Sequence, residues 1–197
     1  MPIPRPDSPY DLFREWWSAG HDAEPKYPDG VSLATIGGDG IPAVRVVLLR
    51  DWDERGFVFY TNYEGAKGRD LMARPVAALC AYWKTLDRQI RIRGTVEVAE
   101  GELSDAYFAG RPRESQIGAW ASHQSSIIAG RDELMRSVEE MSRRFAGQPV
   151  PRPPHWGGFR VKPVQIEYWQ EGEFRLHDRL QYTQGEDGSW SSAILSP

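Results

Sequence analysis

The segment QIRIRGTVEVA (residues 89–99) decides the fold class: Ile90, Ile92, Val96 and Val98 share one parity, while Gln89, Arg91, Arg93 and Glu97 share the other. A period of two over this length belongs to a strand with one buried and one polar face. The apolar run at 76–83 precedes it and reads as its hairpin partner. Further out, residues 31–36 and 43–50 are β-rich runs joined by Gly37-Gly38-Asp39-Gly40. A glycine cluster can cradle phosphate, but no strand-to-helix pattern follows this one, so it reads as a hairpin turn. Residues 57–61 make a further strand, and 158–169, 173–182 and 190–195 close the chain.

Helices are inserted between these strands. Asp7 or Ser8 can cap a first helix in which Tyr10, Phe13 and Trp17 recur at helical spacing, ending at Gly20. Residues 64–73, 102–109 and 114–121 read as short helices, the last two separated by Arg111-Pro112-Arg113. A longer helix over 131–145 carries a stripe of Leu134, Val138, Met141 and Phe145, which predicts core packing. The four prolines of 148–154 make a stiff connector. Strands without βαβ alternation predict a mainly β chain with inserted helices, closed as a small barrel. The length of 197 residues fits one domain over 1–197, with a helix and arm in 1–30 and closing strands in 158–197.

Composition narrows the function classes. A net charge of −4 gives no global attraction to nucleic acid, although the basic residues are skewed toward arginine. No apolar run is long enough to cross a membrane, and the proline-rich start lacks the apolar region of a secretory signal, so a cytoplasmic protein is expected. The single cysteine, Cys80, lies in an apolar run and reads as a buried, inert thiol; no metal site is expected.

The chemistry concentrates in arginines at particular spacings. On a strand, Arg175, His177 and Arg179 would emerge on one face about 7 Å apart, with Phe174, Leu176 and Leu180 on the other. Such a row calls for an anion or electron-rich ligand opposite, the alternative being a solvated face paired with acidic neighbours. Arg45 and Arg50 have opposite parity, so unless a bulge intervenes they serve two different ligands. Tyr107 and Arg111, four apart, share a helix face, and with Ser115 they make a phosphate clamp. Lys67, near a helix start after Tyr60-Thr61-Asn62, is a further candidate anion site; taken singly, each of these residues also reads as an ordinary surface position.

Together these segments resemble the pyridoxamine 5′-phosphate oxidase family from about residue 31 to the end. The motifs are RVVLLR (45–50), FYTNY (59–63), RQIRIRG (88–94), YFAGRPRESQIGAWAS (107–122), QSS (124–126), PPHWGGFRV (153–161), IEYWQ (166–170) and RLHDR (175–179). The resemblance implies a Greek-key-like split β-barrel homodimer with two FMN molecules at the subunit interface. By position it assigns flavin contacts to Arg45, Val46, Val47, Leu48, Tyr60, Thr61, Lys67, Gln89, Gln124, Ser125, Trp169 and Arg179. Substrate contacts fall on Arg50, Tyr107, Arg111, Ser115, Arg175 and His177, the last two holding the ring as catalytic residues. The implied reaction oxidises pyridoxamine or pyridoxine 5′-phosphate to pyridoxal 5′-phosphate, with O2 as acceptor and H2O2 as product.

Four positions depart from the family pattern: Arg50 where lysine is usual, Ala66 where arginine is usual, Tyr27 where an acidic residue is common, and Ile194 where arginine often stands. Loss of the contact at Ala66 predicts FMN binding weaker by about 1.5–3 kcal/mol if nothing replaces it. Three other readings compete: an oxidase of the same fold acting on another ring, as in phenazine-forming relatives; a non-catalytic carrier of FMN or pyridoxal phosphate; and a deazaflavin-dependent reductase.

Overall fold

In the computed structural model, which describes residues 2–197, eight strands form one antiparallel sheet. They are β1 (Gly30–Ile36), β2 (Pro42–Asp53), β3 (Gly56–Asn62), β4 (Val76–Trp83), β5 (Arg88–Val98), β6 (Trp156–Gln170), β7 (Asp178–Gln184) and β8 (Trp190–Ile194). The helices are α1 (Pro9–Ala23), α2 (Ala66–Ala73), α3 (Gly101–Ala109), α4 (Arg113–Ala121) and α5 (Arg131–Arg144). No helix among the described residues is long and apolar enough to cross a membrane.

The sheet closes because β3 pairs with both β2 and β6, giving a six-stranded barrel in the order β3-β2-β1-β4-β5-β6. Strand β6 is where the barrel splits. One of its edges pairs with β5; the other carries β3 along 156–161 and then β7 along 165–170. The handover falls at Lys162-Pro163-Val164, where the β5–β6 register also shifts. Pro163 has no N–H to give to a ladder, so this gap suits it. Beyond it, β7 and β8 form an outlying ribbon.

Inward-facing residues fill the barrel: Leu33, Leu49, Phe57, Phe59, Ile90, Ile92, Val161, Ile166 and Tyr168 are all buried. Each such aliphatic or aromatic side chain stabilises the fold by about 1.5–3 kcal/mol relative to exposure. The alternation of 89–99 holds for Ile90, Ile92 and Val96 but fails at Val98, which is 49% exposed at the strand end. Helix α1 packs against this core through Tyr10, Leu12, Phe13 and Trp16. Ser8 caps it as expected, its Oγ accepting the Tyr10 N–H at 3.2 Å. The helix nevertheless runs past Gly20 to Ala23. A Cβ at Gly20 would lie 2.3 Å from the Trp83 indole, so this glycine is a packing gap rather than a stop signal.

A second cluster, Phe108, Ile117, Phe145, Val150 and Trp156, joins α3, α4 and the end of α5 to the start of β6. The expected stripe of α5 is only half-buried in the single chain, with Phe145, just beyond the helix, its one buried member. Buried Arg160 anchors the start of α3, bonding Asp53 at 2.9 Å and Glu100 at 3.2 Å. A larger revision concerns residues 173–182. Their first part is not a strand: 173–175 form a short 3-10 turn in which Phe174 and Arg175 take φ of 56° and 63°. Phe174 and Leu176 are 90% and 70% exposed, so the expected apolar face of that segment does not exist in one chain.

Candidate active site

A cavity of about 570 Å³ opens on the outside of the barrel between β2, β3, α2, α3 and α4, within the size range of small-molecule sites. Its first wall comes from the alternation of β2. Val47 and Leu49 point into the core, and Arg45 shares their parity; Val46, Leu48 and Arg50 face outward and line the cavity. The two arginines therefore leave on opposite faces, with the bulge at Leu49/Asp51 falling at Arg50 itself. Arg45 does not line the cavity. It bonds Thr35 Oγ1 at 2.6 Å and sits 3.6 Å from Asp70.

Strand β3 supplies Tyr60 and Thr61, and α2 supplies Lys67. Lys67 Nζ donates to Gln124 Oε1 at 2.8 Å and to Thr61 Oγ1 at 3.3 Å, which uses two of its three donors. Burial, reinforced by nearby Arg45, lowers its pKa. The 124–126 segment lies close over the start of α2: a Cβ at Gly65 would come within 2.4 Å of Gln124 Oε1, and Ser125 Oγ accepts the Ala66 N–H at 3.2 Å. Ser125 holds φ at 67°, a left-handed conformation that a non-glycine residue keeps only where its surroundings impose it.

The far wall is aromatic. Tyr60 and Tyr107 stack with centroids 4.0 Å apart and planes within 4°, and Trp156 lies parallel to both. Burial, with Asp51 and Tyr107 adding to it, pushes Tyr60 up to about 12, so its hydroxyl stays protonated at neutral pH. Arg111 lies just past the end of α3, its guanidinium 4.7 Å over the Trp156 ring. Its Nη1 is buried and has no hydrogen-bond partner. Burial lowers its pKa while Tyr107 opposes the shift. A buried, unpartnered guanidinium N–H beside Ser115 is an unfilled anion contact. Trp156, which backs the whole clamp, was not singled out in the sequence; its signal was present only as the W of PPHWGG.

Five of the expected residues gather elsewhere. Gln89, Trp169 and Arg179 are cross-strand neighbours on β5, β6 and β7. His177 packs on Trp169 with centroids 4.7 Å apart, and its Nδ1 accepts the Gly172 N–H at 3.3 Å. Arg179 bonds Glu167 Oε1 at 3.0 Å, and Arg91 pairs with the same carboxylate. Arg175 is exposed and turned by its positive φ, so the single row of Arg175, His177 and Arg179 is not formed. Cys80 is half-buried rather than fully buried, its Sγ 3.4 Å from Gln89 Oε1. Gly158, opposite Tyr60, is eleven residues from Trp169 along β6. That is a strand contour of up to about 36 Å, and none of the five lines the cavity.

Residues 21–145 match the family described as pyridoxamine 5′-phosphate oxidase, and residues 156–197 match the pyridoxine 5′-phosphate oxidase C-terminal dimerisation region. The chain belongs to the pyridoxamine 5′-phosphate oxidase family. It is 48% identical over 190 residues to the pyridoxine/pyridoxamine 5′-phosphate oxidases of Brucella anthropi and Brucella canis, covering 96% of this chain and 94% of theirs. Among solved structures it resembles PhzG from Burkholderia lata 383 in complex with tetrahydrophenazine-1-carboxylic acid. The TM-score there is 0.90 at 31% identity, over 98% of this chain and 94% of that one. An FMN-binding, pyridoxamine 5′-phosphate oxidase-related protein from Nostoc punctiforme shares the fold, with a TM-score of 0.78 at 19% identity over 98% of this chain and all of that one. As an oxidase-family barrel with a dimerisation region at its C-terminus, the chain places its two residue groups in both matched segments.

Proposed function

We propose that this protein is an FMN-dependent oxidase of pyridoxamine or pyridoxine 5′-phosphate, acting as a cytoplasmic homodimer. The observation that carries the reading is the buried Arg111 Nη1 with no acceptor, set among Tyr107, Ser115 and a parallel aromatic stack. An aromatic phosphate satisfies both features: a phosphoryl group for the guanidinium and a flat ring for the cavity.

The residues fit a flavin phosphate as well. Lys67 keeps a free donor beside the N-terminus of α2, and Thr61 and Gln124 lie next to it. When bound there, FMN would take a hydride from the substrate carbon and pass the electrons to O2, releasing H2O2. The chain's own work is placement. Val46 and Leu48 exclude water from one wall, Tyr107, Arg111 and Ser115 hold the substrate phosphoryl group, and Lys67 neutralises charge on the cofactor side. Gln89, Trp169, Arg175, His177 and Arg179 would reach the same cofactor from a second copy of the chain, with Arg175 and His177 over the substrate ring. That none of these five residues lines the cavity of its own chain, and that four of them lie in the dimerisation segment, support this sharing.

Anaerobic addition of pyridoxamine 5′-phosphate to the FMN-loaded protein should bleach the flavin absorbance, and air should restore it with formation of H2O2. A protein that takes up FMN yet is reduced by neither phosphorylated vitamer would overturn the substrate. The likeness to PhzG favours a second reading, oxidation of a reduced phenazine carboxylic acid. Bleaching by such an acid and not by the vitamers would establish it.

A further inference from the structure

Glu167, 3% exposed, is the most deeply buried carboxylate among the described residues. It lies on β6, opposite Arg91 on β5 and Gln181 on β7. Two residues further along, and therefore on the same face, Trp169 stands opposite Gln89 and Arg179. One carboxylate reaches across both ladders: Oε1 accepts the Arg179 Nε–H at 3.0 Å, and Oε2 accepts from Arg91 Nη2. Arg179 Nη1 also donates to the Ser196 carbonyl at 2.8 Å. Two of the five N–H groups of Arg179 are thus committed, and the other three have no acceptor among the described residues. Taking a carboxylate out of water costs free energy that its ion pairs only partly return, so stability alone is a poor reason for Glu167. What the arrangement secures is geometry.

We propose that Glu167 is a positioning residue for the cofactor site: by bonding Arg179 and Arg91 at once, it fixes the Arg179 guanidinium beside Trp169 and presents its remaining N–H groups to the flavin in one orientation. The inference rests on the proposed function, which gives Gln89, Trp169 and Arg179 to the cofactor, and deepens it by naming what holds them. Two effects oppose each other. The carboxylate orders Arg179, which favours FMN, and its negative charge disfavours an anionic ligand. Because two guanidiniums share one carboxylate, the group keeps a net positive charge and the second effect is blunted. Without Glu167, two like charges face each other on partly exposed side chains and separate into solvent. Ordering therefore wins.

The test titrates the unliganded full chain with FMN and follows quenching of flavin fluorescence, so it needs no turnover. Glu167→Gln should weaken FMN about 5- to 20-fold, because an amide turns N–H donors toward one of the two arginines. Glu167→Asp, which keeps the charge on a shorter stem, should recover part of that loss. In the Arg179→Ala background, Glu167→Gln should cost less than about 2-fold more, since the residue it acts through is gone. Should Glu167→Gln melt early, Glu167→Asp supplies the same comparison, with and without Arg179→Ala, at a temperature where circular dichroism reports every chain folded. Unchanged FMN binding, or a loss that stays undiminished in the Arg179→Ala background, overturns the proposal. A wild-type protein that binds FMN but is reduced by neither vitamer would sink the substrate of the proposed function and leave the Glu167 comparison standing. One that takes up no FMN would sink both.

Discussion

The two ends of β6 carry opposite kinds of surface. At the start, Trp156 is buried under Tyr60, Tyr107 and Arg111, so the aromatic stack and its guanidinium are assembled within one chain. Toward the end, Trp169 and His177 pack on each other, but Phe174, Leu176 and Ile194 leave large apolar side chains in solvent and Arg175 points free. Exposed apolar surface of this kind marks a contact face, and it lies in the segment matched to the dimerisation region. The contrast is what the proposed function requires of a site shared between two copies: a pocket complete in one chain, and an exposed surface in the segment matched to the dimerisation region.

The largest effect that would break or sharpen this contrast is at the finished end. Arg111→Ala should lower kcat/KM for pyridoxamine 5′-phosphate about 100-fold, the weight of a charge-assisted contact made in the cavity. His177→Ala damages the other half. If the halves meet across a dimer, equal mixing of these two variants with subunit exchange puts one intact site in each mixed dimer, restoring about a quarter of wild-type activity. A mixture as inactive as its components breaks the shared-site reading.

A smaller effect separates the roles of the two ends. Arg175→Ala should slow flavin reduction about 10-fold or more while changing the FMN dissociation constant by less than about 2-fold, since its proposed partner is the substrate ring. Stopped-flow reduction and fluorescence titration read the two quantities separately, and the reverse pattern refutes the assignment. Smaller again is the departure at Ala66. Its side chain adds nothing to the cradle that Lys67 and Gln124 form, so Ala66→Arg should tighten FMN about 10-fold. No change would mean that Ser125 and the α2 N-terminus already replace the missing arginine.

The same contrast explains what was legible in the sequence. Strand β4 runs Val76–Trp83, the residues read from its apolar pattern, and β5 differs by one residue at each end, because a period of two is written in the side chains themselves. The grouping in the cavity was legible too: Tyr107, Arg111 and Ser115 line it together, as their spacing and the family motifs indicated. The RLHDR segment misled because alternating polar and apolar residues imitate a strand. Two successive left-handed residues, Phe174 and Arg175, break the extension, and no glycine or asparagine there announces it. The half-buried stripe of α5 and the exposure of Leu176 lie beyond local pattern, since how far an apolar side chain is covered depends on distant segments and not on one sequence window. Trp156 over Arg111 and Asp29 under Arg50 are contacts between distant segments, which spacing does not record.

The smallest expected effect tests how the finished half is held. Arg160 is buried between Asp53 and Glu100, and Glu100 precedes α3, whose last turn carries Tyr107 into the cavity. Hydrogen bonds from its own backbone N–H and from Arg160 hold the Glu100 carboxyl below its ordinary range. For Asp53, burial raises the carboxyl, but hydrogen bonds from Arg55 together with the charges of Arg160 and Arg55 lower it on balance. A carboxyl lowered in the folded state contributes stability above its unfolded pKa and loses it as pH falls through the folded value. Glu100 is largely exposed and solvent screens the pair, so Glu100→Gln should lower the melting temperature by only about 1–3 °C at pH 7. The gap between wild type and variant should close as the pH drops below the ordinary carboxylate range, because both chains are then neutral at this position. If it persists in acid, the carboxylate charge is not what ties α3 to β6, and the placement of Tyr107 rests on the aromatic stack with Tyr60 and Trp156 instead.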